Sequence, residues 1–87
     1  MRLSGALNVH LINNVIITDR AGIRLTDGAT LNKVIANTVS VVSSPAVFLD
    51  SSTFDNKLHG NFLSVDDGGQ AIVDLGTDNK ITGNVPR

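Results

Sequence analysis

Residues 78–84 read Asp-Asn-Lys-Ile-Thr-Gly-Asn. The phrase also occurs as Asp-Asn-Lys-Leu-His-Gly-Asn at 55–61 and as Leu-Asn-Lys-Val-Ile-Ala-Asn at 31–37. Aligning the three places Asn8, Asn32, Asn56 and Asn79 in one column and Asn13, Asn37, Asn61 and Asn84 in another, at spacings of 24, 24 and 23 residues. A fixed period of this length marks a structural repeat. After the second Asn of each unit the apolar residues alternate: Val15 and Ile17, Val39 and Val41, Leu63 and Val65. Period two means strand. A second strand follows in each unit, at 22–25, 46–49 and 71–75, and the turn clusters between, such as Thr26-Asp27-Gly28, leave no room for a helix.

Identical short motifs face identical surroundings only if each unit lies on the one before. Residue i then meets residue i+24 at the strand spacing of about 4.8 Å, and every column becomes a ladder of like residues. The chain is therefore expected to be all-β, a parallel β-helix (solenoid) of about three and a half coils of 23–24 residues. Its organisation reads as a lead-in at 1–6, coils at 7–30, 31–54 and 55–77, and a partial coil at 78–87.

The inward columns are expected to be Val34, Leu58 and Ile81; Ala36, Gly60 and Gly83; Val15, Val39 and Leu63; Ile17, Val41 and Val65; Ile23, Val47 and Val73; Leu25, Leu49 and Leu75. The third coil reaches this register by lengthening the turn at Asp66-Asp67-Gly68-Gly69, because the alternative would bury Asp74. A carboxamide both donates and accepts, so Asn13, Asn37, Asn61 and Asn84 are expected to hydrogen-bond up and down the stack, where a column of Asp would repel itself.

The phrase of Asn, an aliphatic residue and a small residue before the second Asn, followed by alternating aliphatics, resembles the right-handed parallel β-helix repeat of the pectate-lyase-like superfamily, which includes polysaccharide epimerases and phage tailspikes. The resemblance spans residues 7–84. It implies a right-handed scaffold, and a setting that is extracellular or on a virion. The first coil departs from the pattern, with His10 where the others have Val34, Leu58 and Ile81.

Composition narrows the function. The chain has 87 residues, no Cys, nine Asn, eight Asp, no Glu and a net charge of −1, so thiolate chemistry is excluded and neither nucleic acid nor an anionic membrane is suggested as partner. No apolar run is long enough to span a membrane. Lys33, Lys57 and Lys80 occupy equivalent outward positions, with His59 beside them in a column with Leu11, Ile35 and Thr82. These four are the candidate ligand-binding residues, for an anionic polysaccharide; solvated lysines pairing with Asp55 and Asp78 are the plainer reading. Lys57 with His59 is the one pair that a lyase-like reaction could use as cation and base. Asp66 and Asp67 lack the alternating spacing of a calcium loop, and His10 and His59 fall in different columns, so neither a metal nor a cofactor is expected.

Ile16, Ile35, Phe48 and Phe62 project outward in this register and form a candidate oligomer interface. The leading functional expectation is a structural module of a larger or oligomeric fibre, a trimer or the remainder of a longer β-helix. The alternative is a small relative of a polysaccharide lyase or C5-epimerase.

Overall fold

A computed structural model describes residues 1–86. Each of four successive turns of the chain contributes three strands. The first holds β1 (Arg2–Ser4), β2 (His10–Ile12) and β3 (Val15–Arg20); the second β4 (Ile23–Thr26), β5 (Lys33–Ile35) and β6 (Thr38–Ser43). The third holds β7 (Val47–Leu49), β8 (Lys57–His59) and β9 (Phe62–Val65), and the fourth β10 (Ile72–Asp74), β11 (Lys80–Thr82) and β12 (Val85–Pro86). Like strands stack in parallel into three four-stranded sheets, β1-β4-β7-β10, β2-β5-β8-β11 and β3-β6-β9-β12. This is the expected all-β parallel β-solenoid, and none of the described residues is helical.

Within each strand the alternate residues turn inward. Val34, Leu58 and Ile81 share one column and Val39 and Leu63 another, and the fully buried set of Ile23, Leu25, Ala29, Val34, Val39, Val41, Ala46, Val47, Leu49, Leu58 and Leu63 fills the middle of the coils.

Two turns of backbone set the corners. Asn8, Leu31, Asp55 and Asp78 form one column with φ of 54–58°, and Asn13, Ala36, Gly60 and Gly83 a second with φ of 57–66°. These are left-handed positions, which glycine and asparagine tolerate best. Each is followed by the residue that carries the ladder. Asn37 Oδ1 accepts from the backbone N–H and the amide of Asn14 at 2.9 and 3.1 Å, Asn61 Oδ1 does the same for Asn37, and Asn84 Oδ1 for Asn61. A second ladder runs through Asn32, Asn56 and Asn79 and begins at the N–H of Val9. Among the described residues no buried side-chain nitrogen or oxygen lacks a partner.

The first and last coils depart from the expected register. The first-coil rung of the ladder is Asn14, and Asn13 is a left-handed corner residue with an exposed side chain. The first repeat is therefore 23 residues, which turns Leu11 and Ile16 inward and leaves Val15 72% and Ile17 79% exposed. Ala36, Gly60 and Gly83, expected inside, are corner residues instead, since each turns the chain in the left-handed conformation between two successive strands. In the fourth turn Ile72 pairs with Val47 and Asp74 with Leu49, so Ile72 takes the inward position expected of Val73, and Leu75 is 59% exposed. Asp74 escapes burial because no further strand covers it here. Its Oδ1 accepts from Gly76 N–H at 3.0 Å and from the Asn79 amide at 2.9 Å, capping the second ladder.

Candidate functional site

Because the core columns are filled and satisfied, any chemistry belongs to the outward columns. On the sheet of β2, β5, β8 and β11 the first outward column runs His10, Lys33, Lys57 and Lys80 in register. The three lysines thus stack as expected, with His10 continuing the column. The pairing expected with Asp55 and Asp78 is not formed: among the described residues the ion pair is Arg2–Asp27 at 3.2 Å, and the lysines join none. Beside Lys57 and Lys80 the corner residues Leu31, Asp55 and Asp78 border a shallow depression of about 260 Å³.

The second outward column of the same sheet is Ile12, Ile35, His59 and Thr82. His59 therefore lies under Ile35 as expected, but its first-coil neighbour is Ile12 and not Leu11, which faces the core. His59 Nδ1 and Thr82 Oγ1 share a hydrogen bond of 3.0 Å. Lys57 and His59 flank the inward Leu58 on β8 and both are exposed.

The acidic residues are engaged in turns. Asp67 accepts from Ser44 N–H and Oγ at 2.9 and 3.1 Å and from Gly69 N–H at 2.8 Å, and those bonds, the Ser44 backbone foremost, hold its carboxyl below the ordinary 3.8. The Ser4 hydroxyl above all, with Arg2 and Thr26, lowers Asp27 in the same sense, and Ser52 lowers Asp50. Each carboxylate accepts hydrogen bonds that favour its charged form. Among the described residues no group of three or more His, Cys, Asp or Glu side chains is placed to share a metal ion.

The proposed interface residues separate. Ile16 packs against the core, Phe48 is half-buried between Arg24 and Val73 on the sheet of β1, and Ile35 and Phe62 lie on adjoining sheets either side of the Asn13–Ala36–Gly60–Gly83 corner. Around that corner the outward residues are Ile12 and Ile35 on one sheet, and Val15, Thr38, Phe62 and Val85 on the next with Ile17 behind them. His59 and Thr82 complete the first of these columns and Ser40 and Ser64 follow Ile17, so the apolar part of the surface is carried by Ile12, Ile35, Val15, Ile17 and Phe62. Ile12, Val15 and Ile17 escaped the sequence reading because the adjacent Asn13 and Asn14 offer two registers one residue apart, and that slip exchanges the faces of a strand. At the end of the stack beyond β11, a cavity of about 410 Å³ is lined by Leu63, Ile72, Ile81 and Asn84.

Comparison with known proteins adds one match: the family model described as NosD, periplasmic copper-binding protein, aligns with residues 1–85. No curated protein and no solved structure matches the chain.

Proposed function

Since the chain belongs to the NosD family, we propose that it acts outside the cytoplasm as a rigid β-helical module whose role is to present a contact face, with copies of the module associating side by side. The match lends no support to a virion fibre, and that part of the sequence expectation is set aside. The observation that carries the reading is the apolar surface at the first-coil side of the Asn13–Ala36–Gly60–Gly83 corner, where Ile12, Val15 and Ile17 stand exposed on a backbone fixed by two ladders. A monomer gains nothing by presenting branched aliphatic side chains there. Two copies that bring Ile12, Val15 and Ile17 together bury apolar area, at about 25 cal/mol per Å². The alternative of a lyase-like enzyme draws less support. Lys57 and His59 stand on an open sheet with one hydroxyl, Thr82, bonded to the imidazole and a depression too shallow to enclose a sugar ring.

Copper, named in the family description, does not fit the residues of these coils. The chain has no Cys and a single Met, and its two imidazoles sit in separate columns. The module reading is tested by sedimentation of the parent chain beside Val15→Asp with Ile17→Asp. The parent is expected to sediment above its 9.1 kDa monomer mass and the double variant at it, with the far-UV circular dichroism of the strands kept in both. A parent that stays monomeric at tens of micromolar overturns the reading.

A further inference from the structure

The column His10, Lys33, Lys57 and Lys80 places one imidazole at the head of three lysines, on strands each about 4.8 Å from the next along the stack. Side chains at that spacing, on neighbouring parallel strands and on the same face, reach a common metal ion when they are imidazoles, the donors that suit copper. An ammonium has no lone pair to give. We infer that the lysine column stands where this surface would otherwise support a stacked-imidazole copper site, so that these coils hold no copper of their own. The inference rests on the reading of the chain as a contact module, and concerns which residues of that module meet the metal.

The surroundings of the two histidines point the same way. His10 pairs across the sheet with Lys33. His59 shares the outward face of β8 with Lys57. A dication approaching either imidazole meets an ammonium well inside the screening length of about 8 Å at physiological salt. The Nδ1 of His59 is also engaged with Thr82. The two rings do not form a stack, since the histidines occupy different columns and β5 between them carries no imidazole. Asp55 and Asp78, on the left-handed corner, line one depression with Lys57 and Lys80, and carboxylate is a hard ligand poorly matched to cuprous ion. The amino group of Met1 is occupied as well, donating to the Gly22 carbonyl at 2.6 Å.

The test offers the folded chain one equivalent of copper, cuprous and cupric in separate runs, against a chromophoric chelator, and measures the metal that stays with the protein after gel filtration. The parent, His10→Ala and His59→Ala are expected to surrender all of it. Lys33→His combined with Lys57→His, which completes a stack of three imidazoles with His10, is expected to retain one copper ion per chain and to lose it again when His10→Ala is added. The Lys57→His with Lys80→His pair, which Lys33 separates from His10 and which therefore stacks only two imidazoles, is expected to retain none, and far-UV circular dichroism shows that each variant keeps its strands. A parent that retains one equivalent, lost in either single His→Ala variant, overturns the inference. So does failure of the folded Lys33→His, Lys57→His variant to gain copper, because the lysines are then not what keeps it away. Sedimentation of the parent is read separately, so copper retention by an associating parent overturns this inference and leaves the module reading in place.

Discussion

A single asparagine side chain in this fold satisfies four groups. Asn37 accepts from the N–H and the amide of Asn14, donates its own amide to the Leu11 carbonyl and to Asn61, and is fully buried. Asn37→Ala keeps the backbone bond to Asn61 but strands the Asn14 donors and the Leu11 carbonyl. The loss expected is about 1–3 kcal/mol, read from urea or thermal unfolding. The residue before it carries the opposite potential. Ala36 sits at φ 57° in a column whose later members are Gly60 and Gly83. A left-handed alanine is strained where glycine is free, so Ala36→Gly is expected to stabilise the chain by roughly 0.5–1 kcal/mol in the same assay, although glycine loses more chain entropy on folding. A fall in stability would mean that the entropy term outweighs the strain at this corner.

At the scale of strands and turns, register decides which substitutions the fold tolerates. Ile72 pairs with Val47 and packs on the core, whereas Val73 pairs with Phe48 on the outer face. Ile72→Asp is therefore expected to cost on the order of 3 kcal/mol, and Val73→Thr less than about 1 kcal/mol, by chemical denaturation. The sequence made the strands, the period and the central columns legible, because apolar alternation and repeated Asn survive any single ambiguity. It did not settle the two ends. The Asn13–Asn14 doublet hides a 23-residue first repeat, and Asp74 looked impossible at an inward position until the structure showed it at an open end, capping Asn79. Of the candidate site, the lysine column was legible from spacing alone, whereas His10 joined it only when the first-coil shift was known. The turns also carry the pH response. Asp27, Asp50 and Asp67 all have folded carboxyl values below the ordinary 3.8, so they stabilise the fold above that pH, and the stabilisation is lost as pH falls through the folded values. Melting temperature is expected to hold from neutral pH to about 4 and to decline below it, with a shallower decline in Asp67→Asn, whose side chain no longer titrates between Ser44 and Gly69. An identical acid profile for the variant would remove Asp67 from the explanation.

Over the whole molecule, stability is distributed along one axis. In a solenoid each coil touches only its neighbours, so coils with a neighbour on both sides are held by two interfaces and the outermost by one. The burial pattern follows this closely: every fully buried apolar side chain lies between Ile23 and Leu63, while Leu3, Leu11, Ile72 and Ile81 are only partly covered. The two ladders differ at their ends. The Asn32–Asn56–Asn79 ladder is closed by Val9 at one end and Asp74 at the other, whereas the last rung of the other, Asn84, donates its amide to the Leu58 carbonyl and lies beside the 410 Å³ cavity. Opening is therefore expected to begin at the outer coils, and at the β11 end to start along the Asn84 corner. Amide hydrogen exchange reads this directly. Protection is expected to be greatest in β5, β6, β7 and β8 and to fall by about thirtyfold or more toward β1, β2 and β11, a difference of ~2 kcal/mol at ~1.4 kcal/mol per tenfold. Adding Asp74→Ala, which uncaps Asn79, is expected to extend the fast-exchanging region into β10 while leaving β5 and β6 unchanged. Uniform protection from β2 to β11 would instead make the four turns one cooperative unit, with the ladders binding the ends as firmly as the middle.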